Sequence, residues 1–174
     1  MQTTHPLNVL NFCPKCGSHE FHRSGERSLK CAQCRFHLFI NSAAAVAALV
    51  TNDEGKLLLT TRAVEPDSGK LDLPGGFIDP GETAENAVKR ELEEELSMKV
   101  KSLEYIGSAP NEYVFSGYSV FTLDMALRVV PETVTGLVAM DDIRDYCFYA
   151  ENEIDYTLIP APSIKSFVKQ YFSS

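Results

Sequence analysis

Two sets of residues in this chain have the types and spacing to do chemistry. Glu91, Glu94 and Glu95 stand at i, i+3 and i+4 in a stretch free of Gly and Pro, so a helix gathers them on one face within one turn. Three carboxylates that close repel unless something cationic sits among them, and crowded hard oxygen donors suit Mg²⁺ or Mn²⁺. Arg90, four residues before Glu94, can hold one of the acids in place. The second set is Cys13-Pro-Lys-Cys16 and Cys31-Ala-Gln-Cys34. Two close pairs of thiolates complete the tetrahedral sulfur set that Zn²⁺ takes in structural sites. Two disulfides or four unrelated thiols are the alternatives; residues 1–11 lack a basic start followed by an apolar run, so no secretory leader is expected, which disfavours disulfides.

The elements that must carry these residues can be read from periodicity. Residues 84–97 are rich in Ala, Glu and Leu, with Ala84, Val88, Leu92 and Leu96 recurring every four and Ala87 widening the stripe. That pattern predicts a helix with one face turned inward, Thr83 as its cap and Glu93 in solvent. The alternative is a solvated acidic helix, but the carboxylates lie beside the apolar stripe and follow Pro74-Gly75-Gly76, a backbone able to approach a ligand closely. Upstream, the apolar run 43–50, the turn Asn52-Asp53-Glu54-Gly55 and the β-suited residues 56–62 read as a hairpin. Further strands are expected at 103–106, 112–115 and 118–129, with Ser116-Gly117 as a turn. A helix is expected at 163–172, with Ser163 as its cap and Ile164, Phe167, Val168 and Tyr171 as its apolar face. Cys147, between Tyr146 and Phe148, reads as a buried strand residue. Mixed strands with two helices indicate an α/β or α+β sandwich.

The chain has 174 residues, 44% hydrophobic and 23% charged, with net charge −8. That is a globular composition, and its charge argues against nucleic acid or anionic lipid as a general partner. No apolar run reaches the ~20 residues of a membrane-spanning helix, and a cytoplasmic protein is the expectation. The charge is uneven. Residues 1–40 hold Lys15, Arg23, Arg27, Lys30 and Arg35 against Glu20 and Glu26, together with all four histidines and four of the five cysteines. This shift places a module boundary near Asn41-Ser42. The basic excess of the first module fits a solvated or docking face, with a nucleic-acid contact as the alternative.

The run Gly76-x5-Glu82-x7-Arg90-Glu91-Leu92-x-Glu94-Glu95-x-Ser97-Met98 resembles the Nudix box, Gly-x5-Glu-x7-Arg-Glu-(apolar)-x-Glu-Glu-x-Gly-(apolar). Only the final Gly differs, replaced by Ser97 at a helix end where Gly supplies a left-handed conformation. The resemblance extends more loosely over residues 42–172, and the zinc ribbon in front is similar to the subgroup of Nudix hydrolases that includes NADH and ADP-ribose pyrophosphatases.

The resemblance implies an α/β/α sandwich around a mixed sheet at residues 41–174, preceded by a zinc ribbon at 1–40. It implies Mg²⁺- or Mn²⁺-dependent hydrolysis of a nucleoside diphosphate derivative such as NADH, ADP-ribose or FAD. Carried over by position, Glu91, Glu94 and Glu95 are metal ligands, with Glu91 or Glu94 a candidate base and the Gly76 carbonyl a candidate ligand. Arg90 orients the glutamates and Glu82 supports them. Asp141 or Asp142 is the candidate further acid, with Glu151 and Glu153 behind them. Arg62 is a candidate phosphate contact, and Tyr113, Phe115 and Tyr118, with Phe121 nearby, are candidate stacking surfaces. The chain has no tryptophan and none of the Ser-Gln-Pro-Trp-Pro-Phe-Pro-like run of NADH pyrophosphatases, so ADP-ribose and FAD stand level with NADH. Nudix pyrophosphatases of this type are often dimers, so a homodimer is one expectation that the resemblance carries. Two rivals remain: a non-catalytic nucleotide-sugar sensor whose ribbon binds nucleic acid or protein, and a hydrolase of capped RNA ends.

Overall fold

The computed structural model describes residues 3–173, and the chain divides into two compact units. The first comprises the residues up to Ser42 together with Glu112–Phe121. A short helix α1 (Pro6–Val9) is followed by β1 (Phe21–Arg23), β2 (Ser28–Cys31) and β3 (His37–Phe39), an antiparallel sheet in the order β1-β2-β3. A small core of Leu7, Cys13, Phe21, Leu29 and Cys31 lies against it. Thr4 takes the Ser119 amide and meets the Ser119 hydroxyl, which ties residues 112–121 into this unit.

The second unit takes in the rest. Its strands are β4 (Ala43–Val50), β5 (Leu57–Arg62), β6 (Leu71–Asp72), most of β7 (Val100–Phe115), most of β8 (Tyr118–Pro131) and β9 (Ile143–Tyr149), with helices α2 (Ala84–Leu96) and α3 (Pro162–Phe172). They form two sheets, ordered β4-β8-β7 and β6-β5-β9, with β4 parallel to β8 and β5 antiparallel to both of its neighbours. The architecture is the mixed-sheet α/β fold that the motif implied.

The apolar run of β4 is explained by burial on both faces. Val46, Ala48 and Val50 join Val88, Leu92 and Leu96 of α2, whereas Ala47 and Leu49 join Ile164, Phe167 and Val168 of α3. Each fully buried Leu or Val of this kind contributes roughly 1.5–3 kcal/mol of transfer free energy. The strand periodicity of two is therefore what puts one helix on each side.

Three sequence expectations are corrected. The predicted hairpin is absent. The turn forms, with Gly55 N–H on the Asn52 carbonyl, but only the bridge Thr51↔Leu57 joins the two strands. One edge of β4 pairs with β8. The other exchanges backbone bonds with residues 74–78: Val46 N–H to Gly76 O, Ala48 N–H to Pro74 O, and Ile78 N–H to Ala44 O. With both edges of β4 occupied, β5 goes between β6 and β9. Ser163 is not the cap of α3. Ala161 holds that position, and the Ser163 hydroxyl donates to the buried Asp124 carboxylate instead. Cys147 does lie in a strand, but it is exposed, because its place in β9 turns it to the solvent side.

Candidate active site

Helix α2 begins as its sequence demands. Thr83 Oγ1 accepts the Asn86 amide, and Glu85 occupies the first turn, where the helix dipole favours an acid. It ends at Ser97, which adopts φ +52 while Met98 N–H reaches back to the Leu92 carbonyl. With the stripe of Val88, Leu92 and Leu96 buried, Glu91 and Glu95 are carried to the edge of the core.

Glu95 is 7% exposed, and its Oε2 accepts the Gly75 amide at 2.9 Å. Burial pushes this carboxyl up to about 8, with Glu91, Asp72 and Asp142 adding repulsion against the Gly75 bond. Glu91 is also raised, by burial first, although Arg90 opposes the shift. Glu95 has no cationic partner among the described residues and Glu91 has only Arg90, so these are the groups a further cation would relieve.

Arg90 organises the acids around it. Its Nε and Nη2 form a fork on Glu82 at 3.0 and 2.9 Å, and Nη1 reaches Glu91 at 2.8 Å and Glu94 at 3.1 Å. Nη2 also donates to the Phe77 carbonyl at 3.0 Å, which fixes the backbone beyond Gly76. Glu82 in turn accepts the Asp79 amide, and the Arg90 guanidinium holds its carboxyl below the usual range.

These residues border a cleft of about 270 Å³. Gly75, Gly76 and Phe77 form one wall, Glu91, Glu94 and Glu95 another, and Asp141 and Asp142 close it. The aspartates arrive through long-range backbone bonds: Met140 N–H to the Glu95 carbonyl, and Ala63 N–H to the Asp142 carbonyl. Glu151 and Glu153 do not line the cleft, and Glu153 is occupied by Lys56 and the Ala150 amide.

Arg62 pairs locally. It reaches Asp72 at 3.0 Å and the Pro66 carbonyl at 3.1 Å. Tyr113, Phe115 and Tyr118 belong to the other compact unit, on the β7–β8 turn. Two contributors had no signal of their own in the sequence. One is the Gly75 amide, hidden within the Pro-Gly-Gly break; the other is Asp72, which anchors Arg62 and caps the Leu73 amide just before that break.

In the first unit the sulfurs of Cys13 and Cys34 lie 3.6 Å apart and those of Cys16 and Cys31 3.7 Å apart, and all four are within 4.8 Å of one another. Zn–S bonds of about 2.3 Å in a tetrahedron set sulfurs ~3.8 Å apart, whereas a disulfide requires about 2.05 Å. The arrangement fits a metal and not a pair of disulfides.

The NUDIX domain profile matches residues 41–170. The chain belongs to the Nudix family. A NAD-capped RNA hydrolase NudC from Vibrio parahaemolyticus is 30% identical over 71% of this chain and 47% of its own length. Another from Pseudomonas syringae pv. tomato is 35% identical over 56% of this chain and 34% of its own. The Nudix chain thus spans about half, or less, of these curated relatives. A Nudix hydrolase of known structure from Nitrosomonas europaea superposes with a TM-score of 0.68 over 94% of this chain and 91% of that one at 22% identity, a likeness of fold.

Proposed function

We propose that this Nudix chain hydrolyses the pyrophosphate bond of a nucleoside diphosphate derivative, with an ADP-linked dinucleotide or ADP-sugar (NADH, ADP-ribose or FAD) as substrate. The observation that carries the reading is the cleft of about 270 Å³ walled by Glu91, Glu94, Glu95, Asp141 and Asp142, in which burial raises Glu91 and Glu95. The naming of its relatives as NAD-capped RNA hydrolases supports an NAD-type pyrophosphate.

The donor set is all oxygen and acidic, which fits Mg²⁺ or Mn²⁺. Glu91, Glu94 and Glu95 would hold it, with the Gly76 carbonyl contributing the lone pair that Val46 N–H leaves free. Divalent ions bound there would neutralise phosphate charge and acidify water. The chain's own residues do the positioning. The Gly75 amide fixes one oxygen of Glu95 and leaves the other directed to chemistry. Arg90 keeps Glu91 and Glu94 from swinging apart. Glu91 or Glu94 accepts the proton of the attacking water, with Asp141 or Asp142 as the further acid. Phe77, 46% exposed at the rim, offers an apolar contact to the substrate. In the first unit, Cys13, Cys16, Cys31 and Cys34 hold a structural Zn²⁺, making residues 1–40 a ribbon that precedes the catalytic domain at 41–174.

The test is a hydrolysis screen of NADH, NAD, ADP-ribose, FAD, diadenosine polyphosphates and nucleoside triphosphates with Mg²⁺ and Mn²⁺. Release of AMP from an ADP-linked substrate is the expected result. No turnover of any of them, or turnover unchanged in Glu95→Gln, defeats the proposal.

A further inference from the structure

The two cysteine knuckles of the first unit are built alike except at one residue. After Cys16 the chain turns through Gly17 at φ +72, with the Gly17 amide on the Cys13 carbonyl at 2.8 Å. After Cys34 it turns through Arg35 at φ +63, with the Arg35 amide on the Cys31 carbonyl at 3.0 Å. The same turn therefore places an arginine where its counterpart uses glycine. A side chain in the left-handed region costs about 1–2 kcal/mol, and such a cost persists where the side chain is needed at that spot.

The Arg35 side chain faces a concavity of about 330 Å³ shared with Lys30, Arg23 and His22. Lys30 and Arg35 make no ion pair among the described residues, whereas Glu20 holds His22 at 3.1 Å. Sheet register extends the surface: His22, Lys30 and His37 are cross-strand partners, so they line one face in a row about 10 Å long. Beside the row Phe39, 50% exposed, stacks on His37 with ring centroids 4.3 Å apart.

We propose that this face of the ribbon binds the phosphodiester backbone of a single-stranded polynucleotide, with Lys30, Arg35 and Arg23 on successive phosphates and Phe39 stacking on a base. The row and the concavity together are longer than one phosphate group, and a cationic track beside an open aromatic ring is the arrangement that strands use without sequence preference. The chain's net charge of −8 does not oppose this, because residues 1–40 alone carry +3 and charges beyond about 10 Å are screened. The surface shares no residue with the acidic cleft, and the assay below reads binding alone, so its outcome is independent of whether that cleft hydrolyses anything.

The experiment titrates the full chain, zinc-replete and without added Mg²⁺, into a fluorescein-labelled twelve-residue oligouridylate at 50 and 200 mM salt. Binding is expected with a log–log salt slope of about −2, as three phosphate contacts give at ~0.7 each. Lys30→Ala and Arg35→Gly should each weaken binding about tenfold at the lower salt and reduce the slope by about 0.7. Arg35→Gly should keep or raise the thermal midpoint, since glycine suits the turn, and this separates a binding role from a structural one. Phe39→Ala should weaken binding without changing the slope. Wild-type binding by Arg35→Gly overturns the proposal, as does a salt-independent affinity. Displacement of the oligonucleotide by inorganic pyrophosphate at equal phosphate concentration also overturns it, by showing a small-anion site.

Discussion

The amide of Gly75 donates to Oε2 of Glu95 across 2.9 Å, joining the arm before α2 to the last turn of that helix. The arm has no room to spare. A Cβ on Gly75 would lie 2.2 Å from the Val46 carbonyl oxygen, at a φ of +139 that side chains rarely adopt. Gly75→Ala should therefore destabilise the fold by about 2–4 kcal/mol, read as a lowered thermal midpoint. Gly76→Ala is the contrasting case. The atoms nearest its Cβ would be those of the Glu91 carboxylate, from 2.6 Å, and a side chain can move aside. Its midpoint should stay near wild type while hydrolysis falls about tenfold or more. Equal stabilities for the two variants would contradict this account of the arm.

Arg90→Lys should lower kcat about 100-fold with little loss of fold. An ammonium cannot span Glu82, Glu91, Glu94 and the Phe77 carbonyl at once, as the guanidinium does. Steady-state kinetics alongside circular dichroism would check it.

The metal-free protein should lose stability as pH rises. Glu95 has an unfolded reference of 4.5 and a folded value of about 8, because burial disfavours its charge. Below 4.5 both states are protonated and its full stability is present. Between 4.5 and 8 the unfolded chain ionises first, so stability declines, and above 8 it levels off. Thermal midpoints from pH 5 to 9 should show this decline, and Glu95→Gln should flatten it. A slope unchanged in that variant would move the effect to Glu91, which is shifted the same way.

Chelation of zinc should unfold the ribbon and leave the second compact unit folded, since a metal supplies much of the folding free energy of so small a core. Elemental analysis should find one zinc per chain, and Cys13→Ser should reduce it. A two-step melt that becomes one-step on chelation would report this directly.

Among the acids outside the helix, Asp141→Asn or Asp142→Asn should depress kcat, whereas Glu151→Gln and Glu153→Gln should not. Only the first pair lines the cleft, and Lys56 already engages Glu153. An inactive Glu153→Gln with its fold intact would reverse that assignment.

The sequence by itself determined what short-range physics controls. The four-residue apolar period set the buried face of α2, and with it the side on which Glu91 and Glu95 lie. Thr83 and Ser97 set its ends, and the two Cys-x-x-Cys pairs set which thiols meet. The tertiary structure alone decided who pairs with β4, why Ser163 serves Asp124 instead of its own helix, which way Cys147 faces, and which aspartates reach the cleft. Those outcomes depend on backbone edges and buried polar groups competing for partners 20 to 80 residues away in sequence. Local periodicity carries no record of which partner wins, because the winner is set by the geometry of the assembled core.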